Sequence, residues 1–181
     1  MEKEKEKKKE MKNLEIYIFK VLTGNMSKAD FEKKLYKSCY VNRIAEDKFI
    51  ANLMDINYSS ESWKYNLEQA ARPYYGNKTF LVNMIRFYCK RIVNDANTTD
   101  IKEIVYDLSI YHDKNDFKFK TLFHFQAFYN AIDTHKYDHR SPSESDIFKK
   151  IKTFAGYYLE QQEKGIEDDE LLNLSVPSEN N

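Results

Sequence analysis

The chain is 181 residues long, 41% hydrophobic and 32% charged, which is enough for one globular domain with a real core and excludes wholesale disorder. Its 29 basic residues balance 29 acidic ones, so whole-molecule attraction to nucleic acid or to an anionic membrane is not expected. With only 4 Gly and 3 Pro the chain has too few turn formers for a β-sandwich or a turn-rich α/β fold.

The opening MEKEKEKKKE has good helix propensity and either prolongs the first helix or frays; residues 1–12 are read as a charged extension. Leu14, Tyr17, Ile18, Val21 and Leu22 then form one buried helical stripe, ended by Gly24. Ser27 with Asp30 makes a capping-box-like start for a second helix, with Phe31 and Leu35 on its inner face. Ile44, Phe49, Ile50, Leu53 and Met54 predict a third helix. Ser59 or Ser60 caps a fourth, with Trp63, Leu67 and Ala70 inward. Pro73 is expected to end or kink that helix, and Tyr74 to Asn77 to form a turn.

Leu81, Met84, Ile85, Tyr88 and Ile92 give the most regular helix of the chain, over about 78–93. After a loop at 94–97, Thr98 or Thr99 caps the next, with Ile101, Ile104, Val105 and Leu108 inward, until a polar break at 113–116. Phe117-Lys118-Phe119-Lys120 alternates like a strand, but Leu122, Phe125, Tyr129 and Ile132 keep helical spacing. Helix is the reading for most of 117–132, since a lone strand has no pairing partner. Ser141-Pro142-Ser143 breaks the chain, and Ile147, Ile151, Phe154 and Tyr158 form the last stripe. After Gly165 periodicity fades into an acidic stretch, so 165–181 is read as a mobile tail and 13–164 as a single helical domain. The fold expected is all-α, an antiparallel helical bundle or a short helical-hairpin stack of about eight helices.

Catalytic signatures are weak throughout. Cys39 and Cys89 form no CxxC pair, no apolar leader follows the first residues and no run is long enough to span a membrane, so a cytoplasmic protein is expected. His135 and His139 are spaced i, i+4 near Asp133 and Asp138, but no Glu completes an HExxH pattern, and a loop or helix end is preferred to a metal site. His112-Asp113 is similar to the metal-binding pair of helical phosphohydrolases, whose further ligands have no counterpart here; a helix-terminal histidine favoured by the macrodipole accounts for it better. Arg43, Arg72, Arg86, Arg91 and Arg140 are not followed by histidine at the spacing of helical ribonucleases, and no Gly-rich phosphate loop exists. No catalytic residue, metal or cofactor is therefore expected.

Three surface features remain. Asp100, Glu103 and Asp107 lie at i, i+3 and i+7, opposite Ile101, Ile104 and Leu108; such a row is either a plain solvent face or half of an interface. Tyr74-Tyr75, beside Pro73 and Gly76, and Tyr157-Tyr158 are adjacent aromatics that either anchor a partner or fill a second packing layer. Lys78, Arg86, Lys90 and Arg91, with Tyr88, line one helix and carry an alternative reading as a nucleic-acid-associated regulatory protein.

Residues 16–68 carry a further pattern: an apolar helix running into Thr23-Gly24, a Ser27-opened helix with Phe31-Glu32 and Leu35-Tyr36, then a helix ending in Leu53…Asn57-Tyr58-Ser59. This order resembles the first half of small all-α bacterial immunity proteins of polymorphic or contact-dependent toxin systems, although Lys34 stands where a Trp is expected before Leu35-Tyr36. The resemblance implies a non-enzymatic antitoxin that blocks a cognate toxin domain, a nuclease above all, by tight steric binding. In that setting the Asp100, Glu103, Asp107 row would mimic phosphate, and Tyr74 and Tyr75 would anchor the complex.

Overall fold

The computed structural model describes residues 2–94, 97–135, 137 and 142–176. They form ten helices and no strand: α1 Glu2–Leu22, α2 Lys28–Leu35, α3 Ser38–Val41, α4 Lys48–Met54, α5 Trp63–Tyr75, α6 Asn77–Asn94, α7 Thr98–Lys114, α8 Lys120–His135, α9 Glu144–Glu163 and α10 Asp168–Leu171. The all-α expectation holds. The chain divides into two compact units, Met1–Phe87 and Tyr88–Asn181. The division falls inside α6, a helix with neither Gly nor Pro, so composition offers no linker to mark it.

In the first unit α1 packs on α2 and α5, and α4 packs on α5. The predicted extension belongs to α1, which is helical from Glu2. Leu14, Ile18, Val21 and Leu22 are buried as the stripe requires, and so is Phe19, whose ring meets Tyr75, Phe80 and Phe87 at 5.4–6.0 Å. The helix ends in a Schellman arrangement: Gly24 takes φ 75°, and the amides of Gly24 and Asn25 donate to the carbonyls of Val21 and Lys20. Ser27 caps α2 by accepting from the Asp30 amide at 3.0 Å.

The third predicted helix starts later, as α4 at Lys48, and the short helix α3 precedes it. Ile44 lies exposed in the connection between α3 and α4, and Asp47 starts α4 by accepting from the amides of Phe49 and Ile50. The next helix begins at Trp63 after Ser62, not after Ser59 or Ser60; the Ser60 hydroxyl instead donates to the Asn57 carbonyl. Pro73 does not end α5. It sits in the last turn, and the helix runs on to Tyr75, so Tyr74 to Asn77 is no turn. Gly76 alone separates the two helices, with φ 82°; its amide donates to Arg72 O and its carbonyl accepts from Phe80 N.

In the second unit α8 lies between α7 and α9, and α10 returns onto α9. Ile101, Ile104, Leu108, Leu122, Phe125, Ile132, Ile147, Ile151, Phe154 and Tyr158 are buried, with Phe125 and Phe154 edge-on at 5.4 Å. Asn97, not Thr98 or Thr99, caps α7 by accepting from the Asp100 amide. Residues 117–119 are neither strand nor helix: Asp116 and Phe117 take φ 54° and 61°, left-handed values unusual for residues with a Cβ, and α8 starts only at Lys120. The tail expected from 165 is structured through Leu174. Leu171 and Leu172 are buried, and the Leu172 and Leu171 carbonyls accept from the Thr121 amide and hydroxyl at 2.9 and 2.7 Å. That segment satisfies an orphan N–H in the first turn of α8.

Candidate functional surfaces

The acidic row on α7 is only partly a free face. Asp100 accepts from Arg91 Nη2 at 3.0 Å, and Asp107 accepts from the Tyr88 hydroxyl at 2.7 Å. Tyr88 is itself buried, so Asp107 supplies a hydrogen bond that this phenol needs. Glu103 is exposed, whereas Asp100 and Asp107 are partly buried. Two of the three carboxylates therefore also serve bonds within the second unit.

The two adjacent tyrosines also divide. Tyr75 turns inward, edge-on to Phe49 and 5.4 Å from Phe19; its phenol pKa is pushed up by burial first and by Glu15 next, and its hydroxyl has no hydrogen-bond partner. Tyr74 stays half exposed, its ring flat on Phe49 at 3.7 Å. On α9 Tyr158 is buried and Tyr157 only partly so.

The basic face breaks up in the same way. Arg91 is engaged by Asp100, Tyr88 is buried, and Arg86 lies 4.8 Å over the Phe87 ring; Lys78 and Lys90 remain exposed. An aromatic stacking platform for bases is missing from that face.

His112 is buried near the end of α7, bonded through Nδ1 to Gln126 and bracketed by Phe117 and Phe123. Asp113 beside it is exposed, with Oδ1 4.0 Å from His112 Nδ1, which itself bonds Gln126. His135 closes α8, while His139, Asp138 and Arg140 lie outside the described residues. Among the described residues no three His, Cys, Asp or Glu side chains converge as a metal ion requires. Cys89 is fully buried with its thiol pushed up by desolvation, the opposite of an activated nucleophile. No described helix is long and apolar enough to cross a membrane.

A cleft of about 160 Å³ in the first unit was not foreseen. It is lined by Glu6, Lys7 and Glu10 of α1 and by Arg43 and Glu46 of the turn before α4. Arg43 donates through Nη2 to Asp47 at 2.8 Å, and its Nη1 stands 4.0 Å from Glu10. The Tyr40 hydroxyl fixes the far side by donating to the Glu10 carbonyl at 2.9 Å. The Arg43/Asp47 spacing of i, i+4 is readable in sequence, but the approach of α1 to this turn is not. Comparison with protein-family models, with curated proteins and with solved structures finds no match to the chain.

Proposed function

We propose that the chain is a non-enzymatic immunity protein that binds a cognate toxin domain, a nuclease above all, and blocks it sterically in the bacterial cytoplasm. The observation that carries this reading is the order of motifs over 16–68. Its apolar members Phe31, Leu35, Leu53 and Tyr58 are buried together in the first unit, with Phe31 and Tyr58 edge-on at 5.7 Å. Those residues thus serve as the frame that presents a surface, and the chemistry-poor remainder of the chain suits a protein that works by binding alone. The nucleic-acid alternative is weakened by the burial of Tyr88 and the engagement of Arg91.

From the original candidate set, Glu103 and Tyr74 are the outward-facing members, and they belong to different units. The test is co-production with the small toxic domain encoded by the neighbouring gene. A one-to-one complex that weakens as salt rises, and that protects toxin-challenged cells, is expected. Glu103→Lys should slow association. Tyr74→Ala should quicken dissociation, by on the order of 1–3 kcal/mol. Failure of the toxic domain to bind would remove the immunity reading.

A further inference from the structure

We infer that the face shared by α7 and α8 is the contact of a homodimer, in which two copies of the second unit meet antiparallel about a two-fold axis beside Ala127. The inference goes beyond the immunity reading and does not depend on it.

The outer stripe of α8 is the first observation. Phe123, Ala127, Asn130 and Thr134, at i, i+4, i+7 and i+11, are all exposed. Yet no Asp, Glu, Lys or Arg occurs between Lys120 and Asp133, in a chain that is 32% charged. A helix face that meets only water has no reason to be short of charge, whereas charge depletion with aromatic enrichment marks the core of an interface. The aromatics are present: Phe123 is 54% exposed, Tyr106 of α7 48% and Phe117 in the connection 65%. Phe117 and Phe123 stand together, 5.0 and 5.8 Å from the His112 ring. The three rings alone offer roughly 300 Å² of the about 800 Å² that each partner of a standard interface contributes.

The outer stripe of α7 identifies what covers that face. Glu103, Tyr106, Ile110 and Lys114 follow at i, i+3, i+7 and i+11, so a negative end, an apolar middle and a positive end lie in line. Glu103 and Lys114 are exposed, and neither has an ion-pair partner among the described residues; Lys114 only approaches the Tyr111 ring at 5.8 Å. Run antiparallel against itself, this stripe sets Glu103 of each copy opposite Lys114 of the other, and Tyr106 opposite Ile110. Each pair is made twice, as an isologous dimer requires. A uniformly basic or acidic foreign surface would gain at one end of the stripe and lose at the other. Asp113, also exposed, lies about 100° round the helix from Lys114.

The two stripes also agree in register. Tyr106 meets Tyr129 at 5.3 Å and His112 meets Phe123 at 5.8 Å, so the middle of the α7 stripe is level with Ala127 on α8. Ala127 has the smallest side chain of its stripe and falls where the two copies come closest. A small residue there lets facing helices approach to the usual ~8–10 Å.

Sedimentation equilibrium of the full chain, from about 1 to 500 µM, should show monomer and dimer in exchange with a roughly micromolar Kd. Phe123→Glu puts a charge into the uncharged stripe and should leave a monomer with an unchanged far-UV spectrum. Glu103→Lys and Lys114→Glu should each weaken dimerisation by about tenfold or more, and the double reversal should restore it to within about threefold. A role of either residue within one chain would not give that rescue. Ala127→Cys in a Cys39→Ser background should form an intermolecular disulfide under mild oxidation, and Tyr65→Ala, exposed in the first unit, should dimerise normally. A chain monomeric throughout, a dimer indifferent to Phe123→Glu, charge reversals without loss or rescue, or no disulfide at Ala127→Cys would each overturn the inference. If the toxic domain binds a monomer and Phe123→Glu abolishes that binding, the face belongs to a foreign partner and the second copy is excluded. A dimer with these properties that binds no toxic domain leaves the inference intact and removes the immunity reading.

Discussion

The hydroxyl of Tyr75 is buried without a hydrogen-bond partner, while the ring beneath it packs against Phe19 and Phe49. A buried polar group in that position loses its hydration and gains nothing in exchange. Tyr75→Phe keeps the ring, removes the unsatisfied oxygen and should raise unfolding stability by about 1 kcal/mol, read as a higher urea midpoint with an unchanged slope. A fall in stability instead would mean that an ordered water or an alternative rotamer satisfies the phenol. Tyr74, one position on, is the opposite case, since its ring is half exposed and its value lies in what it offers to a partner. Adjacent residues on a helix point about 100° apart, so a Tyr-Tyr pair at a helix end divides into one inner and one outer ring. On α7 Glu103 and Asp107 lie one turn apart on the same face, yet Asp107 serves Tyr88 while Glu103 stays exposed. Reversing all three members of that row would therefore break internal bonds as well as change the surface, and only Glu103 offers a clean charge test.

Among the elements, the segment from α10 to Leu174 does the most with the least chain. It buries Leu171 and Leu172 and lends carbonyls to Thr121, whose hydroxyl in turn accepts from the Leu174 amide at 3.1 Å. His124 lies under it, edge-on to Phe154 at 5.2 Å. Burial lowers the His124 pKa from its ordinary 6.5; a backbone hydrogen bond with Leu174 opposes the shift, and Lys120 adds to it. The sign follows. A histidine whose folded pKa is depressed binds fewer protons folded than unfolded just below 6.5, so its contribution to stability is present at neutral pH and is lost as pH falls through that window. Protection factors at 168–174, taken against the intrinsic exchange rate at each pH, should therefore fall between pH 7.5 and 5.5 by more in the wild-type chain than in His124→Gln. An equal fall in both would show that other groups govern the segment. None of this was legible in the acidic 165–170 stretch, because two leucines and an asparagine are too short for a period. Where the period was long it was legible: Leu81, Met84, Ile85, Tyr88 and Ile92 are all buried on α6. Ile44 misled because an apolar residue in a turn mimics the start of a helical stripe, and Pro73 misled because a proline near the end of a helix leaves little helix beyond it to disrupt. The cleft was illegible for a different reason, since it exists only through the approach of α1 to a distant turn.

At the scale of the whole molecule, the helical class could be read from composition, whereas the division into Met1–Phe87 and Tyr88–Asn181 could not. Each unit has its own fully buried set, Leu14, Ile18, Phe19, Phe31, Leu35 and Ile50 in the first and Ile104, Leu108, Phe125, Ile151, Phe154 and Tyr158 in the second. Units of this size bury enough apolar surface to fold by themselves. They share one backbone, because α6 supplies Asn77 to Phe87 to the first and Tyr88 to Asn94 to the second. A perturbation confined to one core should therefore stay within that unit. Trp63, the only tryptophan of the chain, starts α5 and reports on the first unit by fluorescence. Phe154→Ala removes a ring at the centre of the second core and should destabilise it by about 3–5 kcal/mol. In urea the far-UV signal should then separate into two steps, the lower one moved by the substitution, while the Trp63 midpoint stays where it was. If the Trp63 midpoint falls together with the far-UV signal, the two cores unfold as one cooperative whole and α6 transmits the loss from the second unit to the first.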